Sequence, residues 1–398
     1  MPALGILDEV PGDLGVLLWR SVRNITLWAA TPAASRGALF SGGAADVRET
    51  DLSRLEVDAE IAAPLSIMVR LLESPGGMDV GRVVNACRRI SVWAEQRGAL
   101  ATALEFMQAA ALSAPQVAAL AYAVGRLARR RAEYDRAESW FGRAIVQARR
   151  SADWRTYALG YSGVGNLNVQ KGNFPTAKRA HVRCLRAALR HDLADLQGSA
   201  YHDLFLSEVE TGAGPRAETL AEQAFRAYGE GNSRVPRLAY DVAYHWMLEG
   251  FFGDALRLAQ ALEPHFDAPA EQALVLGLVA RSAGGAEDRP AFERSRRAVE
   301  GLLAGAGEDA AARALLGVAY GAASLREWQL AQEFATRALQ LATERREGRV
   351  VLAAEAALES ILAGLSAQAN PPRPSATRLA DAFVEALTRP AGSALVGA

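Results

Sequence analysis

Two side chains near the middle of the chain have the spacing of a metal-binding pair. His181 and Cys184 are three positions apart, so on a helix they share one face, and imidazole and thiolate are both common ligands of Zn²⁺. The other histidines form no second pair of ligands: they are His191, His202, His245 and His265. Because His181 and Cys184 also occupy two packing positions of a repeated pattern described below, we interpret them as core residues and expect no bound metal.

Motifs that would support catalysis are absent from the sequence. It contains no GxxxxGK[ST] phosphate loop and no HExxH zinc motif. Gly163-x-Gly165 starts a dinucleotide-binding fingerprint, but Asn168 replaces its last glycine, and the segment has a helical pattern instead of following a strand. Cys87 and Cys184 form no CxxC motif and are expected to be free thiols. We therefore expect neither an enzyme nor a cofactor site.

Composition narrows the class of partner and the compartment. Half of the 398 residues are apolar, and 44 basic residues nearly balance 45 acidic ones, so no overall charge attracts nucleic acid or an anionic membrane. Asp8, Glu9 and Asp13 differ from the basic start of a signal peptide, and Arg20 and Arg23 interrupt the first apolar run. We expect a cytoplasmic protein that binds neither nucleic acid nor membrane. Only two of its basic residues are lysines, which is typical of GC-rich bacterial genomes.

Alanines recur along the chain at a nearly constant spacing of 34 to 40 residues. Each is followed by further packing positions four and seven residues later, as Phe141 and Ala144 follow Ala137. Residues at i, i+4 and i+7 share one helix face, so each alanine begins a packing stripe of a helix. The seven anchor alanines are Ala103, Ala137, Ala177, Ala217, Ala255, Ala291 and Ala331.

Glycines at two fixed positions indicate that each unit is a helical hairpin. Gly125 and Gly165 lie twelve residues before their anchors, where the lack of a side chain lets the second helix approach the first closely. Five residues before an anchor, another glycine supplies the turn in four units: Gly98, Gly172, Gly212 and Gly250. The pattern predicts antiparallel helix pairs, with at least twelve helices between residues 81 and 365 and no β-sheet.

This pattern resembles the tetratricopeptide-repeat (TPR) family, whose signature is W-x2-L-G-x2-Y followed by A-x3-F. The best match is Val124-Gly125 with Ala137, Phe141 and Ala144, whereas the leading tryptophan is missing. The resemblance implies an all-α fold, a right-handed superhelical solenoid of antiparallel hairpins. The period near 40 resembles the longer-helix variants of bacterial peptide-sensing regulators and kinesin light chains. An alanine-rich helical protein with a chance pattern is the alternative, but seven anchors in one spacing class favour the repeat.

The ends of the chain differ from the repeats. We predict an N-terminal helical extension over residues 1–80, with an amphipathic helix at 14–28, a loop at 31–48 and a helix at about 49–73. The solenoid spans 81–365 and ends in a C-terminal capping helix, Val350–Leu365. Residues 366–398 are predicted to form a linker containing Pro371, Pro372 and Pro374 and a short helix at about 377–388.

The resemblance implies that the first helix of each hairpin lines a concave groove that binds a peptide. In that groove arginines would hold carboxylates through two hydrogen bonds, and Asn166 would hold a backbone amide. The alternative is an ordinary solvated helix face. The predicted groove residues are Arg88, Tyr122, Arg126, Arg129, Arg130, Ser162, Asn166, His202, Tyr240 and Tyr244, and Glu95 and Met247 lie on the same predicted face.

We interpret the chain as a protein- or peptide-binding scaffold or regulatory adaptor. Its partner would be a protein or peptide, and acidic or carboxylate groups would suit the arginines. The alternative function is a regulator that changes conformation when it binds a small signal peptide, although residues 1–80 show no convincing helix-turn-helix. An acidic stretch between Asp46 and Glu60 could either lie against the arginine-rich units or form a solvated face.

Overall fold

The computed structural model describes residues 5–212, 214–305, 310–365, 370 and 374–389. In this part of the chain there are helices and no strand, which confirms the predicted all-α fold. Fifteen helices, α5 to α19, cover the segment for which at least twelve were predicted. The α-helices are α1 Gly5–Glu9, α2 Gly12–Ala30, α3 Ala44–Ser53, α4 Ala59–Glu73, α5 Val80–Gln96, α6 Leu100–Ser113, α7 Ala118–Arg130, α8 Tyr134–Arg150, α9 Trp154–Gln170, α10 Phe174–Arg190, α11 Ala194–Glu210, α12 Gly214–Tyr228, α13 Val235–Leu248, α14 Phe252–Leu262, α15 Pro269–Gly285, α16 Arg289–Gly305, α17 Ala311–Ser324, α18 Trp328–Glu344, α19 Gly348–Leu362 and α20 Pro374–Thr388.

The anchor alanines mark the second helix of each hairpin. Six of the seven are the fourth residue of an even-numbered helix between α6 and α18, and all seven are buried. Ala291 is the exception in register, because it is the third residue of α16. There Phe292 and Val299 are buried, while Ala298, the expected packing position, is exposed. Ser295, the other packing position predicted there, is buried, so the pattern at Ala291 is confirmed at two positions and wrong by one residue at the third.

Close helix contacts explain the glycines twelve residues before the anchors. A Cβ atom added to Gly125 would lie 2.6 Å from Cδ1 of Phe141, and one added to Gly163 would lie 2.7 Å from Cζ of the same ring. The ring of Phe141 thus fits between glycines of α7 and α9. At Gly165 an added Cβ would overlap the ring of His181. These contacts confirm that Gly125 and Gly165 lie at the helix–helix contacts of successive hairpins.

The turns of the hairpins use the left-handed backbone region. Gly98, Gly172, Gly212 and Gly250 have φ between 72° and 79°, as expected for the residue that ends a helix. At the same turn position Ala132 has φ 58° and Arg326 has φ 61°. Helices joined by such short turns and packed along their length run antiparallel, so the predicted hairpins are confirmed.

The chain divides into two compact units, residues 1–196 and 197–398, with the boundary inside α11. In the first unit, α2 packs on α4 and α6, and buried Trp28 donates from Nε1 to the carbonyl of Pro75 at 2.7 Å.

The helix predicted at 49–73 is instead two helices, α3 and α4, and α3 starts inside the predicted loop. Asp58 lies at the break, where its Oδ2 accepts from Nε1 of Trp93 at 2.7 Å. Because this contact joins residues 35 positions apart in the sequence, the local sequence pattern did not predict the break between the two helices.

In the second unit, the C-terminal helix α20 folds back onto α12, α13 and α14. Phe383 of α20 is fully buried, and its ring centroid lies 4.5 Å from that of Phe225. The predicted capping helix, α19, packs on α17 and α18 and buries Ala354 and Ala357. Pro374 begins α20, whereas Pro371 and Pro372 of the predicted linker lie outside the described residues. The division of the chain at residues 80 and 365 stays a prediction.

Candidate functional site

One position is accessible in every first helix of the hairpins. It lies four residues before the last residue of the helix, one residue after the position of Gly125 and Gly165. None of the seven side chains at this position is buried, although their neighbours pack in the core. We call this the face position, and we call the surface around it in each unit the first-helix face of that unit. The face positions are Val92, Arg126 and Asn166 in the first unit, and Leu206, Tyr244, Arg281 and Tyr320 in the second.

In the first unit, two of the predicted groove arginines bind a carboxylate of the protein itself. Nη1 and Nη2 of Arg126 donate to Oε1 and Oε2 of Glu95 at 2.6 and 2.7 Å, and Arg130 also donates to Oε1. The hydrogen bonds from Arg126, opposed by burial, hold the pKa of Glu95 below its usual value. Glu95 lies on the face predicted from the sequence, but its pairing with both arginines was not foreseen. A ligand carboxylate at this place would compete with Glu95.

The other predicted residues of the first unit lie on the same three helices. Arg88 is exposed on α5, and Arg129 is partly exposed on α7. The ring of Tyr122 lies 5.9 Å from that of Phe141. On α9, the side chains of Ser162 and Asn166 are partly exposed. These residues can offer polar and aromatic contacts, and their role in binding stays a prediction.

The acidic stretch is paired elsewhere in the first unit. Asp58 and Glu60 form ion pairs with Arg97, at 2.9 and 3.6 Å. Asp51 pairs with Arg20 and Arg48. Asp58 and Glu60 also accept hydrogen bonds from Trp93 and Arg89. Among the described residues, none of these contacts involves Arg126 or Arg130.

In the second unit, the predicted residues form a polar cluster and an aromatic one. Nε2 of His202 lies 2.9 Å from Oδ2 of Asp241. The rings of Tyr240 and Tyr244 are stacked with centroids 6.4 Å apart. Burial raises the pKa of Tyr240 to about 12, while Tyr244 remains 44% exposed. Met247 is buried, so its predicted place on the exposed face is wrong, because the exposed side of α13 continues from Tyr244 to Leu248 instead.

Sequence analysis did not predict two further residues of this face, Arg281 and Tyr320. The guanidinium of Arg281 lies over the ring of Tyr320, 4.0 Å from its centroid. Burial lowers the pKa of Arg281, and the hydroxyls of Tyr320 and Tyr244 act in the opposite direction. Within the described part of the chain, Arg281 has no carboxylate partner. Neither residue was predicted, because groove residues were assigned only for the first five hairpins.

Glycines bring these two residues together. A Cβ on Gly277 of α15 would lie 2.8 Å from Cα of Ala314 on α17, and Gly321 meets the backbone of Ala280 just as closely. The two first helices therefore touch backbone to backbone, which leaves Arg281 and Tyr320 side by side on the accessible face.

Other candidate chemistry lies in the core or finds no support. His181 and Cys184 are buried, which confirms their predicted packing role. In the described ranges, no group of three or more His, Cys, Asp or Glu residues could hold a metal ion. No helix in the same ranges is long and apolar enough to cross a bilayer.

No protein-family model and no curated protein matches the sequence. Solved structures share the helical-repeat architecture. The Rap conjugation gene regulator of plasmid pLS20, in complex with the Phr* peptide, is 14% identical, with TM-score 0.49 over 84% of this chain and 97% of that one. A Rap protein complexed with competence and sporulation factor is 13% identical, with TM-score 0.48 over 84% and 99%. A tetratricopeptide repeat protein from Parabacteroides merdae is 14% identical, with TM-score 0.46 over 69% and 100%.

Proposed function

We propose that this protein is a protein- or peptide-binding scaffold whose ligand lies along the first-helix face of the second unit. The observation that carries the proposal is Arg281, a partly buried arginine without a carboxylate partner among the described residues, next to Tyr320 and near Tyr244. An arginine held in such surroundings gains from an incoming anion, because a carboxylate offers two hydrogen bonds to its planar fork.

Tyrosines give this face its second property. Tyr244 is accessible and stacked on Tyr240, so the pair forms a preorganised apolar surface with little side-chain entropy left to lose. A peptide with a carboxylate over Arg281 would place apolar side chains against Tyr244. Such a ligand matches the acidic or carboxylate-bearing partner proposed from the sequence.

The first-helix face of the first unit, taken by itself, would offer a ligand a different kind of contact. Arg126 and Arg130 already hold Glu95, so a ligand carboxylate there must displace an internal one. Asn166 and Ser162 would then serve as partners for a peptide backbone.

We also place the protein in the cytoplasm, where the buried thiols of Cys87 and Cys184 stay reduced. Cell fractionation tests this location.

A displayed peptide library selected on the full chain tests the proposal. Selected peptides should be acidic or end in a free carboxylate next to apolar residues. Their affinity should fall by about tenfold or more for Arg281→Gln, which corresponds to about 1.4 kcal/mol, and it should also fall for Tyr244→Ser. The controls are Arg349→Gln and Leu27→Ser, two exposed residues outside both proposed surfaces. Peptides that bind all five proteins equally would show that the ligand lies elsewhere.

One observation favours a second candidate, a peptide-sensing regulator. The pair of Glu95 with Arg126 joins α5 to α7, the first helices of adjacent hairpins. A ligand that displaces Glu95 would release this link and change the packing of the two hairpins, which is how binding energy shifts a conformational equilibrium. Hydrogen exchange should then increase in α5 when a selected peptide binds. Unchanged exchange in α5 with saturating peptide would favour the plain scaffold.

A further inference from the structure

The overall balance of charge hides a strongly basic segment. Between residues 139 and 191 the sequence has ten basic side chains and one acidic one, Asp153. This segment covers most of α8 and all of α9 and α10, where α9 packs against both of its neighbours. The basic residues are Arg143, Arg149, Arg150, Arg155, Lys171, Lys178, Arg179, Arg183, Arg186 and Arg190.

Four arginines of α10 form one line on its exposed side. Arg179, Arg183, Arg186 and Arg190 are all exposed, and their spacing of four, three and four residues keeps them on one helix face. At 1.5 Å per residue the line is about 16 Å long. α10 contains no acidic residue. We call these four residues the arginine stripe.

Two acidic side chains in and beside this segment already have partners. Asp153 caps α9 by accepting from the backbone N–H of Thr156 at 3.0 Å. Asp195 accepts two hydrogen bonds from Arg155, at 3.1 and 2.5 Å. In the described ranges, no ion pair joins a carboxylate to any residue of the stripe, nor to the exposed arginines of α8, which are Arg143, Arg149 and Arg150.

Aromatic side chains of α9 lie between the two basic helices. Trp154 and Tyr157 are in edge contact, and Tyr157 and Tyr161 likewise, with centroids 5.8 and 5.1 Å apart. His191 stacks on Trp154 at 4.5 Å, and the guanidinium of Arg183 lies over Tyr161. These rings are therefore engaged within the protein, which leaves little free ring face for nucleic-acid bases to stack on.

Aliphatic side chains are exposed on the same two helices. Val146 of α8 is 51% exposed and Leu189 of α10 is 50% exposed. Beside Arg143 and Arg150, a surface pocket of about 440 Å³ is lined by apolar residues that include Leu112, Val117 and Trp140. A phosphate backbone gains nothing from such groups, whereas an amphipathic protein segment does.

We propose that the exposed side of α8 and α10 is a second interaction surface, which binds an acidic amphipathic helix of a partner protein. Carboxylates three or four residues apart on that helix would match the arginine stripe, and its apolar residues would cover Val146 and Leu189. Arginine suits this pairing because its fork holds carboxylates through two hydrogen bonds. This surface is formed by other residues than the first-helix face, so the two proposals are tested independently of each other.

A synthetic helix of about five turns provides the probe, with glutamates in the spacing of the stripe and leucines beside them. Its fluorescence anisotropy should report binding to the full chain, at least about tenfold tighter than for a scrambled peptide of equal composition. Arg183→Glu combined with Arg186→Glu should weaken binding by about tenfold or more. The matched control reverses two exposed arginines of the other unit, Arg294 and Arg349, and should change the affinity less than about twofold.

Several outcomes would overturn the proposal. Equal binding of the scrambled peptide would mean that charge alone acts. Tighter binding of a single-stranded oligouridine, lost in the same double variant, would make the surface a nucleic-acid site. Concentration-dependent self-association of the parent, abolished by the double variant, would identify the occupant as a second copy. The double variant Val146→Ser, Leu189→Ser further distinguishes a peptide ligand from a nucleic acid. It should weaken binding of the peptide and leave binding of oligouridine unchanged.

Discussion

Arg126 and Glu95 form an ion pair with two parallel hydrogen bonds across adjacent hairpins, with Nη1–Oε1 and Nη2–Oε2 distances of 2.6 and 2.7 Å. The pair joins the face position of α7 to the end of α5. Two of the arginines predicted to bind a ligand therefore have a structural partner, and Glu95 is the carboxylate that offsets their positive charge.

Replacing Glu95 with glutamine should destabilise the first unit at neutral pH by about 1 kcal/mol, because the pair is partly exposed. Since the pKa of Glu95 is lowered in the folded state, its stabilising effect is present above the unfolded pKa of about 4.3 and is lost as pH falls through the folded pKa. Urea unfolding of parent and variant at pH 7 and pH 3 checks this. A stability difference that stays the same at both pH values would contradict the ion pair.

The packing of Phe141 on glycine leads to the second prediction. Gly125→Ala should cost about 1–3 kcal/mol, since the new methyl group would overlap a ring held tightly on both sides. Gly142→Ala is the matched control, because this glycine lies in α8 with nothing within 4 Å of the added atom. There the substitution should stabilise by up to about 1 kcal/mol. Thermal melts of both variants measure the two opposite effects, and equal melting temperatures would mean that the hairpin contact is misassigned.

The fold could largely be predicted because the residue sizes that recur in the repeat pattern are those required for the helices to pack together. A small anchor, a ring four residues later and a glycine on the opposing helix are determined by local steric fit, as for Ala137, Phe141 and Gly125. The pairing of Glu95 with Arg126 depends on the offset between neighbouring hairpins, which spacing within one helix does not specify. Arg281 was not predicted because groove residues were assigned only for the first five hairpins. The docking of α20 is a long-range contact with no local pattern at all.

A third prediction uses the hairpin turns. Ala132 and Gly172 occupy the same turn position, with φ of 58° and 72°, and a residue with a Cβ atom is strained there. Ala132→Gly should therefore stabilise by up to about 1 kcal/mol, and Gly172→Ala should destabilise by about as much. The difference in urea midpoint between each variant and the parent tests the pair. Effects of the same sign at both turns would show that φ does not govern them.

The last prediction concerns α20, which returns to cover α12, α13 and α14. Phe383 is fully buried against Phe225, and one turn later in the helix the carbonyl of Leu387 lies 2.9 Å from Nε2 of His265. Phe383→Ala should cost about 3–5 kcal/mol of docking free energy through lost burial and the cavity left behind. Since α20 is held mainly by this face, the helix should detach before the rest of the unit unfolds. Native-state hydrogen exchange should then show loss of protection in α20 and in the parts of α12 and α14 beneath it, with α5 to α9 unchanged.

Leu352→Ala is the control, because Leu352 is 68% exposed on α19 and its removal should change stability by less than about 0.5 kcal/mol. Should α20 keep its protection in the Phe383→Ala protein, its attachment would have to come from the polar contacts, and His265→Ala becomes the variant that releases it.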